Sequence, residues 1–416
     1  MQAHASMYDI AINGAGPAGL FCALHAAASG AKVVLFEKNP EPGEKLCISG
    51  TGQCNLTHNG DIRDFFSRYG ANGKFLRPAL LGYTNEDLLR FFSDRGIAME
   101  VTEGGKVFPA NRSAPAILRV LTGECRTRGV DLKCSGPVTE IRKNDSGFFL
   151  SANGQEYSTK TLVIATGGMS YPKTGSTGDG YRFAAELGHT ITEPGPALTP
   201  LAIDNYPFSS LAGISFPGLS FSVWRNSRKI FDQKGDVLLT HAGLSGPGIL
   251  DCSRDIREGD VIRLAFVGNA QRETVERTLV DLVQKNPTRL VKTLVSQTWV
   301  PERLAESLVS LVGIPPDCTG AHLPAASRKK LSDLLAGCPL TVKALGNFTV
   351  AMVTRGGVAL KDVNPKTMES RIVPGLFFAG EVLDIDGDTG GYNLQAAFST
   401  GYSAAQGCTA RLKALQ

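Results

Sequence analysis

The chain has 416 residues, 42% apolar and 20% charged, and its 43 Lys and Arg against 39 Asp and Glu leave a net charge of +4. That balance fits a globular chain of two or three domains and excludes a dedicated nucleic-acid binder coated in basic charge, though not a local basic patch. Nine scattered cysteines without a C-x-x-C pair exclude a zinc ribbon and a thioredoxin-like redox pair, and point to free thiols in a reducing cytoplasm.

In chain order, residues 8–13 read as a short strand, 17–29 as an Ala-rich helix with Gly30 at its C′ position, and 32–37 as a buried strand ending on an acid. A polar, glycine-rich segment occupies 40–60. Apolar spacings of three and four predict helices over 86–96 and 114–129, and strands are predicted over 148–151 and 157–164. From about Glu193, prolines punctuate short β-like runs at 219–224, 237–239 and 261–266. The pattern from 273 to 335 is helical, with breaks at Pro287, Pro301 and Pro315-Pro316. A strand over 375–380 and a helix over 393–412 then restore the α/β character. The expected organisation is a discontinuous nucleotide-binding domain, 1–192 with 337–416, interrupted by a β-rich domain, 193–270, and a helical subdomain, 271–336. No cationic leader precedes the first strand, and no run reaches the ~20 apolar residues of a membrane span.

Gly14-Ala15-Gly16-Pro17-Ala18-Gly19 is a G-x-G-x-x-G between strand and helix. Gly14 permits the tight turn, Gly16 lets the backbone approach a pyrophosphate, and Gly19 allows helix to pack on strand, while the helix N-terminus presents oriented N–H groups. Glu37, closing the second strand, is placed to accept from ribose hydroxyls. Two distant strand ends, at Ala165-Thr166-Gly167-Gly168 and Phe378-Ala379-Gly380-Glu381, have similar composition and resemble the later motifs of two-dinucleotide-type flavoproteins. They argue for FAD rather than NAD as the resident cofactor. Gly390-Gly391-Tyr392-Asn393 starts the last helix, whose positive end would face the flavin pyrimidine. A second G-x-G-x-x-G is missing, so NAD(P)H would dock only transiently, as an electron donor.

Further motifs are more specific: Pro42-Gly43-Glu44-Lys45-Leu46-Cys47-Ile48-Ser49-Gly50-Thr51-Gly52-Gln53-Cys54-Asn55-Leu56-Thr57-His58, the stretch 170–180, the stretch 239–247, Thr354-Arg355-Gly356-Gly357-Val358 and Gly390-Gly391-Tyr392-Asn393-Leu394-Gln395. Together they resemble the aminoacetone-oxidase-like FAD-binding flavoproteins of the BaiN/RdsA type, over essentially the whole chain. The resemblance implies a Rossmann-like FAD domain of the two-dinucleotide type, interrupted by a β-barrel-like domain and a small helical one. It implies flavin contacts from Glu37, Lys38, Lys45, Gly50, Asn55, Val138 (backbone to adenine), Glu381, Asn393 and Leu394, and the neighbouring candidates are Glu44, Ser49, Gly52, Thr166, Gly167, Gly380, Gly391 and Tyr392. Many members carry Arg where this chain has Glu44 and Gln53, so phosphate contact there falls to Lys45 and main-chain amides.

His241, in a glycine-rich loop of the β-rich insertion, is the best candidate for general acid–base work because an imidazole titrates near neutrality. Cys54 is a candidate proton donor beside the flavin loop, with simple packing as the competing role, and Tyr171 and Tyr392 are candidates for orienting substrate. Asp384, Asp386 and Asp388 alternate in an acidic loop that reads as a turn, not a metal site. The leading function is NAD(P)H-driven reduction of an activated C=C bond, in a steroid-like ring or a uridine of ribosomal RNA, to which members of the resembling family are assigned. An amine or amino-ketone oxidase passing electrons to oxygen is the second reading, and an RNA-binding protein with a regulatory flavin the third. Partners are therefore a small-molecule substrate or ribosomal RNA. Nothing sets the oligomeric state, and a monomer is compatible with the sequence. The Arg328-Lys329-Lys330 cluster is either a solvated helix end or a phosphate contact.

Overall fold

In the computed structural model, which describes residues 6–268 and 271–416, the chain forms two compact units, Met1–Ala197 with Ala351–Gln416 and Leu198–Val350. The first unit is built on a seven-stranded sheet. Ser6–Asn13 lies at its centre, paired in parallel with Val33–Phe36 on one side and Gln155–Ile164 on the other. Asp131–Lys133 extends one edge in parallel, and Leu376–Phe378 adds alongside Leu162–Ile164. The antiparallel strands Gly147–Ala152 and Val138–Asn144 complete the other side. All four residues of Val33–Phe36 are buried, as expected of a parallel strand covered on both faces.

The helices on this sheet are placed by small residues. Pro17 starts the helix Pro17–Ala27, where its missing N–H costs nothing. The long helix Tyr392–Ala414 crosses it so closely that a Cβ on Gly401 would lie 2.4 Å from the Ala18 carbonyl oxygen. One continuous apolar core runs beneath both, from Ile10 and Phe21 to Phe378 and Phe398. Ile191–Ala197 and Val353–Val358 pair antiparallel at the margin of the unit.

The second unit is a closed six-stranded antiparallel barrel, in the order Leu201–Ile203, Gly243–Ser245, Arg228–Leu239, Ser215–Arg225, Val261–Ala265 and Cys338–Leu345. Inward residues such as Phe221, Val223, Val237 and Leu264 alternate with outward polar ones and share a core with the helices Arg272–Lys285, Val291–Thr298, Glu302–Leu311 and Ala325–Gly337. The return to the α/β unit falls later than the expected residue 337. Cys338–Leu345 closes the barrel between Val261–Ala265 and Leu201–Ile203, because strand closure satisfies two edges that would otherwise be bare. At the other junction the chain stays in the first unit through Ala197, four residues beyond Glu193, because Ile191–Ala197 pairs there with Val353–Val358. Among the described residues no helix is long and apolar enough to cross a membrane.

Candidate cofactor site

The glycine turn sits at the carboxyl end of Ser6–Asn13, and its three glycines do different work. A Cβ on Gly14, at φ +108°, would lie 2.5 Å from the Ala165 carbonyl oxygen, and one on Gly19 would lie 1.8 Å from that of Gly14. Both glycines are therefore required by the fold itself. Gly16 is different: nothing lies within 4 Å of its Cβ position, and the helix that follows it has no side-chain cap at that end. Open space beside uncapped N–H groups is what an incoming pyrophosphate needs. Glu37 lies across the turn, its Oε2 accepting from Ala15 N–H (3.1 Å) and its Oε1 from Asn39 N–H (2.9 Å). Burial pushes its carboxyl up from the ordinary range, and those two donors pull it back. A carboxylate retains further lone pairs for ribose hydroxyls. Thr166 Oγ1 is buried without a hydrogen-bond partner among the described residues, and Gly167 beside it turns at φ +72°. Val138 opens the strand Val138–Asn144, opposite Ala152. These residues fit a dinucleotide of the FAD class.

The loop over 44–55 is bound to distant segments by charge. Lys45 Nζ contacts both Glu381 oxygens, at 3.0 and 2.7 Å, and Glu381 Oε1 also accepts from Thr354 N–H (2.8 Å). The Thr354 hydroxyl oxygen in turn accepts from Met169 N–H (2.8 Å) and Ser170 N–H (3.0 Å). Lys38 is held by Asp179 (2.6 Å) and Thr177 (2.5 Å). Glu44 opens the short helix Glu44–Ile48, where an acid suits the helix dipole, and its charge raises the Glu37 carboxyl. Ser49 donates to the Leu46 carbonyl (2.7 Å). Gly50, Thr51, Gly52 and Cys54 all take positive φ, which turns the loop sharply and presents its main chain.

Gly391 caps the helix Tyr392–Ala414 at φ +97°, and a Cβ there would lie 2.5 Å from the Thr57 carbonyl. With its amide oxygen toward the Gly391 N–H (3.2 Å), Asn55 joins the 44–55 loop to this helix end. The Tyr392 ring is buried and stacks on His58, with centroids 5.2 Å apart, and so packs the helix end. Asn393 spends its side chain on Gly387, accepting from the N–H and donating to the carbonyl, both at 2.8 Å. Leu394 is half-buried in the next position. Gly380, at φ +76°, lies against Ala18, where a Cβ would approach the Ala18 methyl to 2.8 Å, and its N–H donates to Thr400. The segments carrying Gly14, Lys45, Thr354 and Glu381 are thus brought together at one end of the sheet.

The proposed proton carriers fare differently. Cys54 is fully buried and burial pushes its thiol up to about 12, an environment that favours packing over proton donation. His241 is exposed between Arg228–Leu239 and Gly243–Ser245, in the barrel unit. Tyr171, half-buried at φ 55°, caps the turn Pro172–Thr174. Asp386 is buried, and no cluster suited to a metal ion exists among the described residues. The sequence reading missed the Thr354 hydroxyl as an organiser of the site. The motif around it was visible, but its partners Met169, Ser170 and Glu381 were not.

The family model described as the HI0933-like protein Rossmann domain matches residues 8–407. A protein of Escherichia coli (strain K12) named ribosomal RNA dihydrouridine synthase is 31% identical over 406 residues, covering 96% of this chain and 97% of its own length. A 3-dehydro-bile acid delta(4,6)-reductase of Clostridium scindens is 29% identical, covering 97% of this chain and all of its own length (100%). Among solved structures, a 3-ketosteroid-delta4-(5alpha)-dehydrogenase from Rhodococcus jostii RHA1 shares the fold with a TM-score of 0.53 at 15% identity, over 98% of each chain. The chain belongs to the HI0933-like family of flavoprotein oxidoreductases, built on a Rossmann-type FAD-binding domain.

Proposed function

We propose that this protein is an FAD-dependent, NAD(P)H-using reductase that saturates the activated C=C bond of a uridine in ribosomal RNA, acting in the cytoplasm. The observation that carries the reading is whole-length similarity to enzymes of that name from Escherichia coli and Haemophilus influenzae, which match 96% and 95% of this chain. The bile-acid enzyme supports the reaction class, since a uridine ring and a 3-dehydro ring with adjacent unsaturation both offer a C=C conjugated to a carbonyl. FAD, when bound, supplies hydride transfer. The chain's own residues supply the rest. Main-chain N–H groups between Gly14 and Gly19 hold the pyrophosphate, and Glu37 holds a ribose. The N-terminus of Tyr392–Ala414 stabilises negative charge at the pyrimidine end. A single glycine turn leaves NAD(P)H to dock transiently. His241 is the candidate donor for the proton that completes the saturated ring.

The test is mass-spectrometric comparison of ribosomal RNA from a deletion strain and its parent. Loss of a dihydrouridine that returns on complementation is expected, and an unchanged dihydrouridine level sinks the proposal. His241→Ala is expected to keep full flavin content and slow turnover, and normal turnover would make it an ordinary loop residue.

A further inference from the structure

An open groove of about 930 Å³ runs along the outer wall of the barrel, floored by Ser220 and Ser222 and walled by the helix Ala325–Gly337. The floor follows from the strand alternation: Leu219, Phe221 and Val223 are buried, so the intervening serines face out. Ser220 is flanked across the sheet by Lys234, and Ser222 by Arg263. Lys330 faces them from the helix.

Four cationic side chains line the groove against two carboxylates, and both carboxylates are taken. Asp232 pairs with Lys229 at 2.8 Å, and Asp333 with Arg272. Among the described residues Lys234, Arg263 and Lys330 are exposed and have no ion-pair partner. Arg263 is nevertheless held against the barrel: its guanidinium lies 4.5 Å over the Trp224 ring, whose Nε1 donates to Ser222 Oγ at 2.8 Å. Solvated lysines on a convex surface would be unremarkable. Three unpaired cations converging on a concave floor of small hydroxyls focus positive potential into a channel, and a held guanidinium plane offers its free face to a base.

We propose that this groove docks the sugar–phosphate backbone of single-stranded RNA, with phosphates on Lys234, Arg263 and Lys330 and a base stacked on Arg263. The inference rests on the ribosomal RNA reading above, and assigns to the barrel the task of holding the substrate strand. Neutralised phosphates match the surplus charge, and serines admit the backbone closely where larger side chains would not.

The experiment uses the full-length, FAD-loaded protein and a fluorescein-labelled oligouridylate of about 20 nucleotides, followed by anisotropy from low to moderate salt. Protein-free ribosomal RNA from the deletion strain serves as substrate in parallel. Combining Lys234→Ala, Arg263→Ala and Lys330→Ala is expected to weaken RNA binding by about tenfold or more and to lower the salt slope by about 2. The kcat/KM for RNA should fall in proportion, with flavin content and melting temperature at wild-type values. Arg263→Lys keeps the charge and loses the stack, so an intermediate loss is expected. Wild-type affinity in the triple variant, alongside wild-type reduction of uridine, overturns the groove alone. Failure of the wild-type protein both to bind and to reduce RNA overturns the reading and the groove together. Equal competition by polyglutamate would assign the groove to an acidic protein and overturn it.

Discussion

In the α/β unit, the charged side chains around the glycine turn are already engaged: Lys45 with Glu381, Lys38 with Asp179, and Glu37 with two main-chain N–H groups. On the barrel wall, Lys234 and Arg263 stand exposed with no ion-pair partner among the described residues, the groove's two carboxylates being paired elsewhere. If the groove docks RNA as proposed, the difference follows from what each surface would hold. A cofactor site that captures phosphate with backbone amides needs rigid, pre-positioned main chain, and paired charges fix the loops that carry it. A surface that meets a large polyanion gains from unpaired cations, whose counterions are released on contact.

The sharpest break in this comparison lies within the glycine turn. Gly19→Ala is expected to cost more than about 3 kcal/mol of stability, since its methyl would collide with backbone, and thermal unfolding of the apoprotein checks it. Gly16→Val should leave that melting curve unchanged and lose FAD by more than about tenfold, read as flavin absorbance after gel filtration. Yellow protein at full occupancy would refute the phosphate placement.

In the barrel unit, the Arg225–Asp260 ion pair should behave like the engaged charges of the first unit rather than like the groove cations. Asp260 is buried and bidentate with Arg225, at 2.8 and 2.9 Å. Burial alone would raise its carboxyl, but Arg225 and the Arg257 N–H hold it below the ordinary range. Asp260→Ala should cost about 2–3 kcal/mol in denaturant unfolding, whereas alanine at Lys234 should cost less than about 0.5.

Acid should separate the units as well. His25, packed among Phe21, Tyr83 and Tyr402, is held down to about 4 by burial, with Arg128 and Arg95 adding to the effect. The folded state then refuses a proton that the unfolded chain takes up below about 6.5. Stability should be independent of this group above about pH 6.5 and fall by roughly 1.4 kcal/mol per pH unit from there toward 4. His25→Phe should flatten that limb, and an unchanged acid limb would remove His25 from the account. A smaller effect than at Asp260 is expected at Glu381→Gln, about 1–2 kcal/mol, because the Lys45 pair is only partly buried. Its value lies in the site: loss of the tie to Thr354 should also lower FAD affinity, measured by flavin titration.

The strand, glycine turn, helix and acid of the cofactor site were all readable in sequence, because each requirement is local. A positive φ at Gly14, a missing Cβ at Gly19 and an apolar run in Val33–Phe36 depend on neighbours within a few residues. The helices Arg272–Lys285, Val291–Thr298, Glu302–Leu311 and Ala325–Gly337 fall in the stretch that spacing and proline breaks mark as helical, whereas Pro247–Cys252 lies outside it. What the sequence could not weigh was burial at single positions, so Cys54 and Tyr392 stood as chemical candidates although both are packed. Tertiary structure alone decided that Cys338–Leu345 closes a barrel, that Lys45 meets Glu381 across 336 residues, and that Lys234, Arg263 and Lys330 share one groove. The physical reason is common to all three. Long-range register and the convergence of side chains are properties of the closed sheet and packed helices, and no local pattern of residues encodes which partner a charge will find.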